Sequence, residues 1–257
     1  MATQKQIINL LRSDPLRHIV TLKMINLYGD HMAFAVSKNG DSWAILSKLP
    51  TSASEFDRKI YPESDFIIFI DGSQEIDKKN IIDELPSGTY VIKTYDNQIK
   101  EYLENKYKEK KVNSFVSYTV SNMPLFEKKF KVEESFDLNE ETISIFRNNG
   151  YEESELVRFF ENKAKWFGIR QGGALVSGCF VFNNFDKVWE LGGVFTFSEH
   201  RRRGYAKACV FSALKYLLSN GLIPRYLVKW DNLKSIQLAE SFGFRAFLST
   251  DHYMLKK

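Results

Sequence analysis

Cysteine is scarce in this chain, with only Cys179 and Cys209 among 257 residues. Two thiols without a paired framework exclude a disulfide-stapled secreted scaffold, and their apolar strand and helix surroundings predict reduced, buried side chains. Histidine is nearly as rare, and His18, His31, His200 and His252 are scattered without ligand spacing, so no metal site is expected. Long hydrophobic runs are missing too. The longest, such as residues 66–70, have strand length, and the N-terminal segment has no apolar stretch of signal-peptide size. The expected location is therefore cytoplasmic, with no membrane contact. An excess of one charge is also lacking: 36 basic against 32 acidic side chains leave +4, too little to make nucleic acid an expected partner. No fixed-period repeat or low-complexity tract is visible.

What is present is the composition of a globular protein, 44% hydrophobic, 14% aromatic and 26% charged, at a length that suits two domains. Helical spacing of apolar residues predicts helices over 4–11 and 15–28. Residues 32–36 and 43–46 flank Lys38-Asn39-Gly40-Asp41, a hairpin signal. A strand, helix, strand unit follows over 66–70, 76–85 and 89–94, then a helix over 96–107 and a strand over 113–120. Ser121-Asn122-Met123-Pro124 clusters turn formers, which places a boundary near residue 125. Beyond it the pattern predicts a short strand over 125–131, helix-compatible sequence through 160, and a meander of strands over 165–170, 174–182 and 187–196. A long helix over 205–219, a strand over 225–228, a short helix over 234–242 and a terminal strand pair at 247 and 253–255 complete it.

The most informative stretch is Val194-Phe195-Thr196-Phe197-Ser198-Glu199-His200-Arg201-Arg202-Arg203-Gly204-Tyr205-Ala206. An apolar strand runs into a loop of arginines and glycine, and then into a long helix. First-turn N–H groups lack intrahelical partners and carry the positive end of the helix dipole, so this order builds an anion site suited to pyrophosphate. Gly204 permits close approach of backbone to phosphate, and the arginines add charge-assisted donors. Taken alone, the same residues also fit a solvated basic loop. The lysine that follows the second glycine in nucleotidase phosphate loops is absent, which argues against a kinase or ATPase.

Arg201-Arg202-Arg203-Gly204-Tyr205-Ala206 resembles the Arg/Gln-x-x-Gly-x-Gly/Ala signature of the GNAT acyltransferases, and it lies between strand and helix as in that family. Downstream, Asn232, Ser235 three residues on, and Phe242-Gly243-Phe244 at the end of a helix resemble the family's second signature. The resemblance covers about residues 130–257. It implies an α/β fold with a mixed sheet: a catalytic GNAT domain over 125–257 preceded by an N-terminal α/β domain over 1–124. The layout is similar to the glycine N-acyltransferase-like group, whose N-terminal half is a diverged GNAT fold; here that half carries neither signature.

By this resemblance the N–H groups of Arg202, Arg203, Gly204, Tyr205 and Ala206, with Arg201 beside them, hold the pyrophosphate of acetyl-CoA, and coenzyme A is the product. The edge of Val194, Phe195 and Thr196 pairs with the pantetheine arm and polarises the thioester carbonyl. Asn232 and Ser235 contact the pantetheine or sulfur end, or cap a helix, or both. Attack by an amine requires a proton acceptor. Glu190 is the candidate by its spacing before Arg201; strand alternation puts it on one face with Gly192 and Val194, and its apolar neighbours predict desolvation. The alternative is an exposed edge glutamate, and His200 and His252 are rival bases.

Ala239 stands where many relatives carry a tyrosine that protonates the thiolate, which leaves Tyr205, Tyr226 and Tyr253 as candidate acids. The expected activity is transfer of acetyl to a primary amine, on a small molecule or a protein, by a monomer or homodimer. The rival readings are a non-catalytic acyl-CoA-binding module and, more remotely, a nucleic-acid surface at the arginines.

Overall fold

The computed structural model describes residues 3–126 and 129–257, without the side chains of Asn39 and Ile76. The described chain divides into two compact units, residues 1–116 with 248–257, and residues 117–247.

The first unit opens with helices α1 (Gln4–Leu11) and α2 (Ile19–Tyr28), followed by β1 (Ala33–Asn39), β2 (Ser42–Pro50), α3 (Glu55–Ile60), β3 (Phe66–Gly72), α4 (Glu75–Asp83), β4 (Thr89–Thr94), α5 (Asn97–Lys106) and β5 (Lys111–Thr119), whose last residues enter the second unit. A capping box between Thr3 and Gln6 starts α1, and the Asp96 carboxylate caps α5. Strands β1 and β2 form the expected hairpin, β2 pairs antiparallel with β3, and β3 pairs parallel with β4 across the α4 crossover. Strand β3 is buried on both faces, which explains its unbroken apolar run: Ile67 and Phe69 pack with Met24, Tyr28 and Leu49, while Ile68 and Ile70 pack with Ile82, Ile99 and Leu103.

The second unit contains β6 (Glu133–Ser135), α6 (Glu140–Arg147), α7 (Glu153–Glu161), β7 (Lys165–Gln171), β8 (Ala174–Phe185), β9 (Val188–Thr196), α8 (Tyr205–Ser219), β10 (Ile223–Lys229) and α9 (Leu233–Glu240). Its strands run in the order β10-β9-β8-β7-β6, antiparallel except for the β10 to β9 pair. Helices cover both faces. Phe146 of α6 and Phe159 of α7 meet Phe180 and Phe182 of β8 at ring separations of 4.8 and 4.2 Å, and Tyr216 of α8 meets Phe167 of β7 at 5.9 Å.

Several expectations differ from this arrangement. Turns occupy residues 12–18, so α2 begins at Ile19 and not at Pro15. No strand spans 125–131 among the described residues; Glu127 and Lys128 lie outside them, and the short strand here is β6. The terminal strand pair is one continuous strand, β11 (Arg245–Lys256), since no turn residue interrupts it. From Leu248 onward the chain belongs to the first unit, where β11 pairs antiparallel with β4 from Asp251 opposite Thr94 to Lys256 opposite Thr89. The compact units thus differ from a division at 124/125: the change falls at Ser117, and the last ten residues return to the first unit.

Candidate active site

Strands β9 and β10 pair in parallel only from Val188 opposite Ile223 to Leu191 opposite Tyr226. Both continue, β9 to Thr196 and β10 to Lys229, but their pairing ends there. The edge of β9 that turns toward β10 is left as a template for an added extended segment.

A bulge shapes that edge. Phe180 of β8 lies opposite Gly192 and Gly178 opposite Phe195, so Cys179 alone on β8 is matched by Gly193 and Val194 on β9. Gly193 takes φ +64, and a Cβ built there would lie 2.4 Å from Cε1 of Phe180, so glycine is required on both counts. The bulge also corrects the alternation expected for Glu190, Gly192 and Val194, because an inserted residue reverses parity beyond it. Downstream, Ser177 donates to the Phe195 carbonyl at 3.1 Å, and Arg201 Nε donates to the Thr196 carbonyl at 2.9 Å, fixing the strand end against the loop.

The loop itself is a curled backbone. After a short 3₁₀ turn over Ser198–His200, Arg202 takes φ +63 and Gly204 φ +87, before α8 begins at Tyr205. Positive φ at Arg202 and Gly204, with Arg203 between them, curls the backbone so that neighbouring N–H groups converge, and Gly204 as N-cap brings no side chain to occupy those of the first turn. Arg201, Arg202 and Arg203 are exposed around it, with Arg203 donating to the Glu199 carbonyl at 3.3 Å. Tyr205 is buried edge-on against Phe130 at 4.9 Å between ring centres. Asn232 caps α9, accepting from the Ser235 N–H at 3.2 Å. The Ser235 hydroxyl bonds to Tyr226, the last residue of β10 paired with β9; burial pushes the Tyr226 phenol up to about 12, with that hydrogen bond opposing.

Glu190 is buried in a polar network. Its Oε2 accepts from Arg225 Nη1 at 2.8 Å, and the same guanidinium donates to Asn184 Oδ1 at 2.8 Å and Ser117 Oγ at 3.1 Å. Burial pulls Arg225 below its ordinary value, and the charge and hydrogen bond of Glu190 oppose that pull. The carboxylate is therefore neither an exposed edge group nor a lone desolvated acid, but half of a buried ion pair.

The other candidates separate. His200 lies on the 3₁₀ turn before the arginine loop. His252 belongs to the first unit, where burial and then the charge of Lys93 hold it neutral beside the Tyr61 hydroxyl at 2.6 Å. Tyr253 also belongs to the first unit and donates to Glu104 at 2.7 Å. Cys179 and Cys209 are free and buried.

Three residues of this region were not anticipated. Gly193 had a signal, a Gly-Gly pair in mid-strand. Arg225 had a weaker one, a cation within an apolar strand. Tyr151, between α6 and α7, had none. Its hydroxyl stands 2.7 Å from where a Cβ of Gly192 would be, the Gly193 N–H is directed at it, and its ring meets Phe180 edge-on at 5.0 Å. Burial, then the charges of Glu190 and Glu155, raise its ionisation far above the ordinary phenol range, so it stays protonated.

The chain resembles a GCN5-related N-acetyltransferase from Kribbella flavida (13% identity, TM-score 0.59, 93% of this chain and 95% of that one). It also resembles a GCN5-related N-acetyltransferase-like protein from Streptococcus suis (17%, 0.51, 99% and 100%). A third resemblance is to a GCN5-related N-acetyltransferase from Sphaerobacter thermophilus (10%, 0.56, 83% and 76%). At these identities the likeness shows the fold alone. No curated protein matches the chain. The GNAT acetyltransferase family profile matches residues 52–253. With that profile spanning most of the sequence, and the parted strands and curled arginine loop in place, the chain belongs to the GNAT acetyltransferase family.

Proposed function

We propose that this protein is an acyl-CoA-dependent N-acyltransferase that moves an acetyl group from acetyl-CoA to a primary amine by direct attack in a ternary complex. The observation that carries this is the end of β9 to β10 pairing at Leu191 and Tyr226, directly before the bulge and the positive-φ loop. An extended thioester arm fits along Val194, Phe195 and Thr196, with the diphosphate on the N–H groups of Arg202 to Ala206 and the guanidinium groups of Arg201 and Arg203 at its rim. Asn232 is occupied as a helix cap, so its support is to hold Ser235 and the start of α9 beside Tyr226. A backbone N–H at the bulge supplies the carbonyl's hydrogen bond, the kind of fixed dipole that lowers acyl-transfer barriers.

The test is calorimetric titration with acetyl-CoA, beside an Arg203→Ala, Gly204→Asp variant. Binding in the micromolar range that the variant loses supports the assignment; no binding below millimolar cofactor overturns it. A second reading, an acyl-CoA-binding module without turnover, is favoured by Ala239 and by the engagement of Glu190 with Arg225. Free-thiol release from acetyl-CoA in the presence of amines separates the two, since a binding module releases none.

A further inference from the structure

We propose that the Tyr151 hydroxyl is the catalytic proton shuttle of the acyl transfer, receiving the proton of the attacking amine and passing its own to the departing thiolate. This rests on the acyltransferase reading above and supplies both halves of the proton traffic.

The placement is specific. Tyr151 precedes α7, and its hydroxyl stands over Gly192, at the point of β9 where pairing with β10 has just ended. Gly192 has no side chain to obstruct it, and the next N–H, that of Gly193, points at the phenol oxygen. A thioester lying along the parted edge brings its carbonyl and sulfur to this bulge, so the phenol oxygen lies beside both reacting bonds. The ring is held by edge contacts with Phe180 at 5.0 Å and Phe159 at 6.4 Å, which fixes the hydroxyl over β9.

The alternatives on the same sheet are committed elsewhere. Glu190 holds Arg225, and Tyr226 is bonded to Ser235. Position 239, on α9, is alanine. One neutral hydroxyl can accept on one lone pair and donate through its hydrogen at the same time. A phenol that stays protonated performs both without ever carrying charge.

The neutral amine nitrogen gives its lone pair to the carbonyl carbon, forming the C–N bond. The C–S bond breaks and its electron pair leaves on sulfur. The proton on the now positive nitrogen moves to the Tyr151 oxygen as the Tyr151 proton moves to the thiolate, giving amide, free thiol and an unchanged phenol.

The experiment compares wild type with Tyr151→Phe, which keeps the ring and its packing. Thiol release is followed with acetyl-CoA and spermidine, lysine and kanamycin as amines, with acetyl-CoA affinity by calorimetry and thermal unfolding alongside. The expected result is a fall in kcat of about 10²–10⁴-fold, with affinity within about twofold and the protein still folded at the assay temperature. A variant carrying 3-fluorotyrosine at 151 keeps the fold if phenylalanine does not; its kcat and solvent isotope effect should shift, because the transferred proton is its own. Unchanged kcat in Tyr151→Phe, or an unaltered isotope effect in the fluorinated protein, would overturn the shuttle and leave the acyltransferase standing. Wild type that binds acetyl-CoA without releasing thiol overturns the shuttle in favour of the binding module. Wild type that does not bind it overturns the parent reading as well.

Discussion

Glu190 Oε2 and Arg225 Nη1 lie 2.8 Å apart on neighbouring parallel strands, both side chains almost wholly enclosed. They sit in register, Arg225 opposite Glu190, one position before the strands part after Leu191 and Tyr226. The pair therefore pins the closed end of the cleft whose open end is formed by residues 192–196.

Removing one member should be costly. Glu190→Gln or Arg225→Met leaves the other charge buried without its partner, a loss of about 3–5 kcal/mol. The double variant should recover part of that, because it removes both desolvated charges. Urea denaturation of the three proteins checks this: equal loss in single and double variants would mean that the ion pair is not the source.

Gly193→Ala should lose roughly 2–5 kcal/mol, combining the left-handed backbone penalty with overpacking against Phe180. Because the bulge also sets the free edge of β9, acetyl-CoA affinity should fall in parallel. Chemical denaturation and calorimetry on one preparation test both. A stable variant with intact affinity would show that the bulge is incidental.

Both thiols should be silent in the native state. Burial pushes the Cys209 thiol up to about 12, with the Ser177 hydrogen bond opposing, and raises Cys179 well above its usual range. Little thiolate exists at pH 8, and what exists is inaccessible. Disulfide reagent should report no thiol in folded protein and two after denaturation, so a thiol-release assay carries little background.

Asp83 makes stability depend on pH. Its slight burial favours the neutral acid, but hydrogen bonds from Lys106, Tyr102 and Tyr107 outweigh this and hold it at about 2. A carboxylate depressed on folding stabilises above its unfolded value near 4 and loses that contribution as pH falls toward 2. The site is largely exposed, so Asp83→Asn should cost no more than about 1 kcal/mol at pH 7. The gap between wild type and variant in thermal unfolding should narrow between about pH 4 and 2. A gap that is constant with pH would mean that packing, not charge, is lost.

Local order was legible in the sequence because it depends on neighbours along the chain. The hairpin at Gly40-Asp41, the β3-α4-β4 crossover, the meander of β7, β8 and β9, and helix α8 over 205–219 all follow from periodicity and turn chemistry. The arginine loop was legible for the same reason, since an anion cradle at a helix start needs only consecutive residues. Tertiary structure alone decided the rest. Strand pairing ends at Leu191 because β9 and β10, more than thirty residues apart in sequence, part in space. Glu190 meets Arg225 across 35 positions, which turned an expected lone acid into an ion pair. Tyr151 reaches Gly192 from the loop between two helices. The C-terminal strand completes the first unit's sheet, as only backbone hydrogen bonding to β4, some 157 residues away between Thr94 and Asp251, could determine.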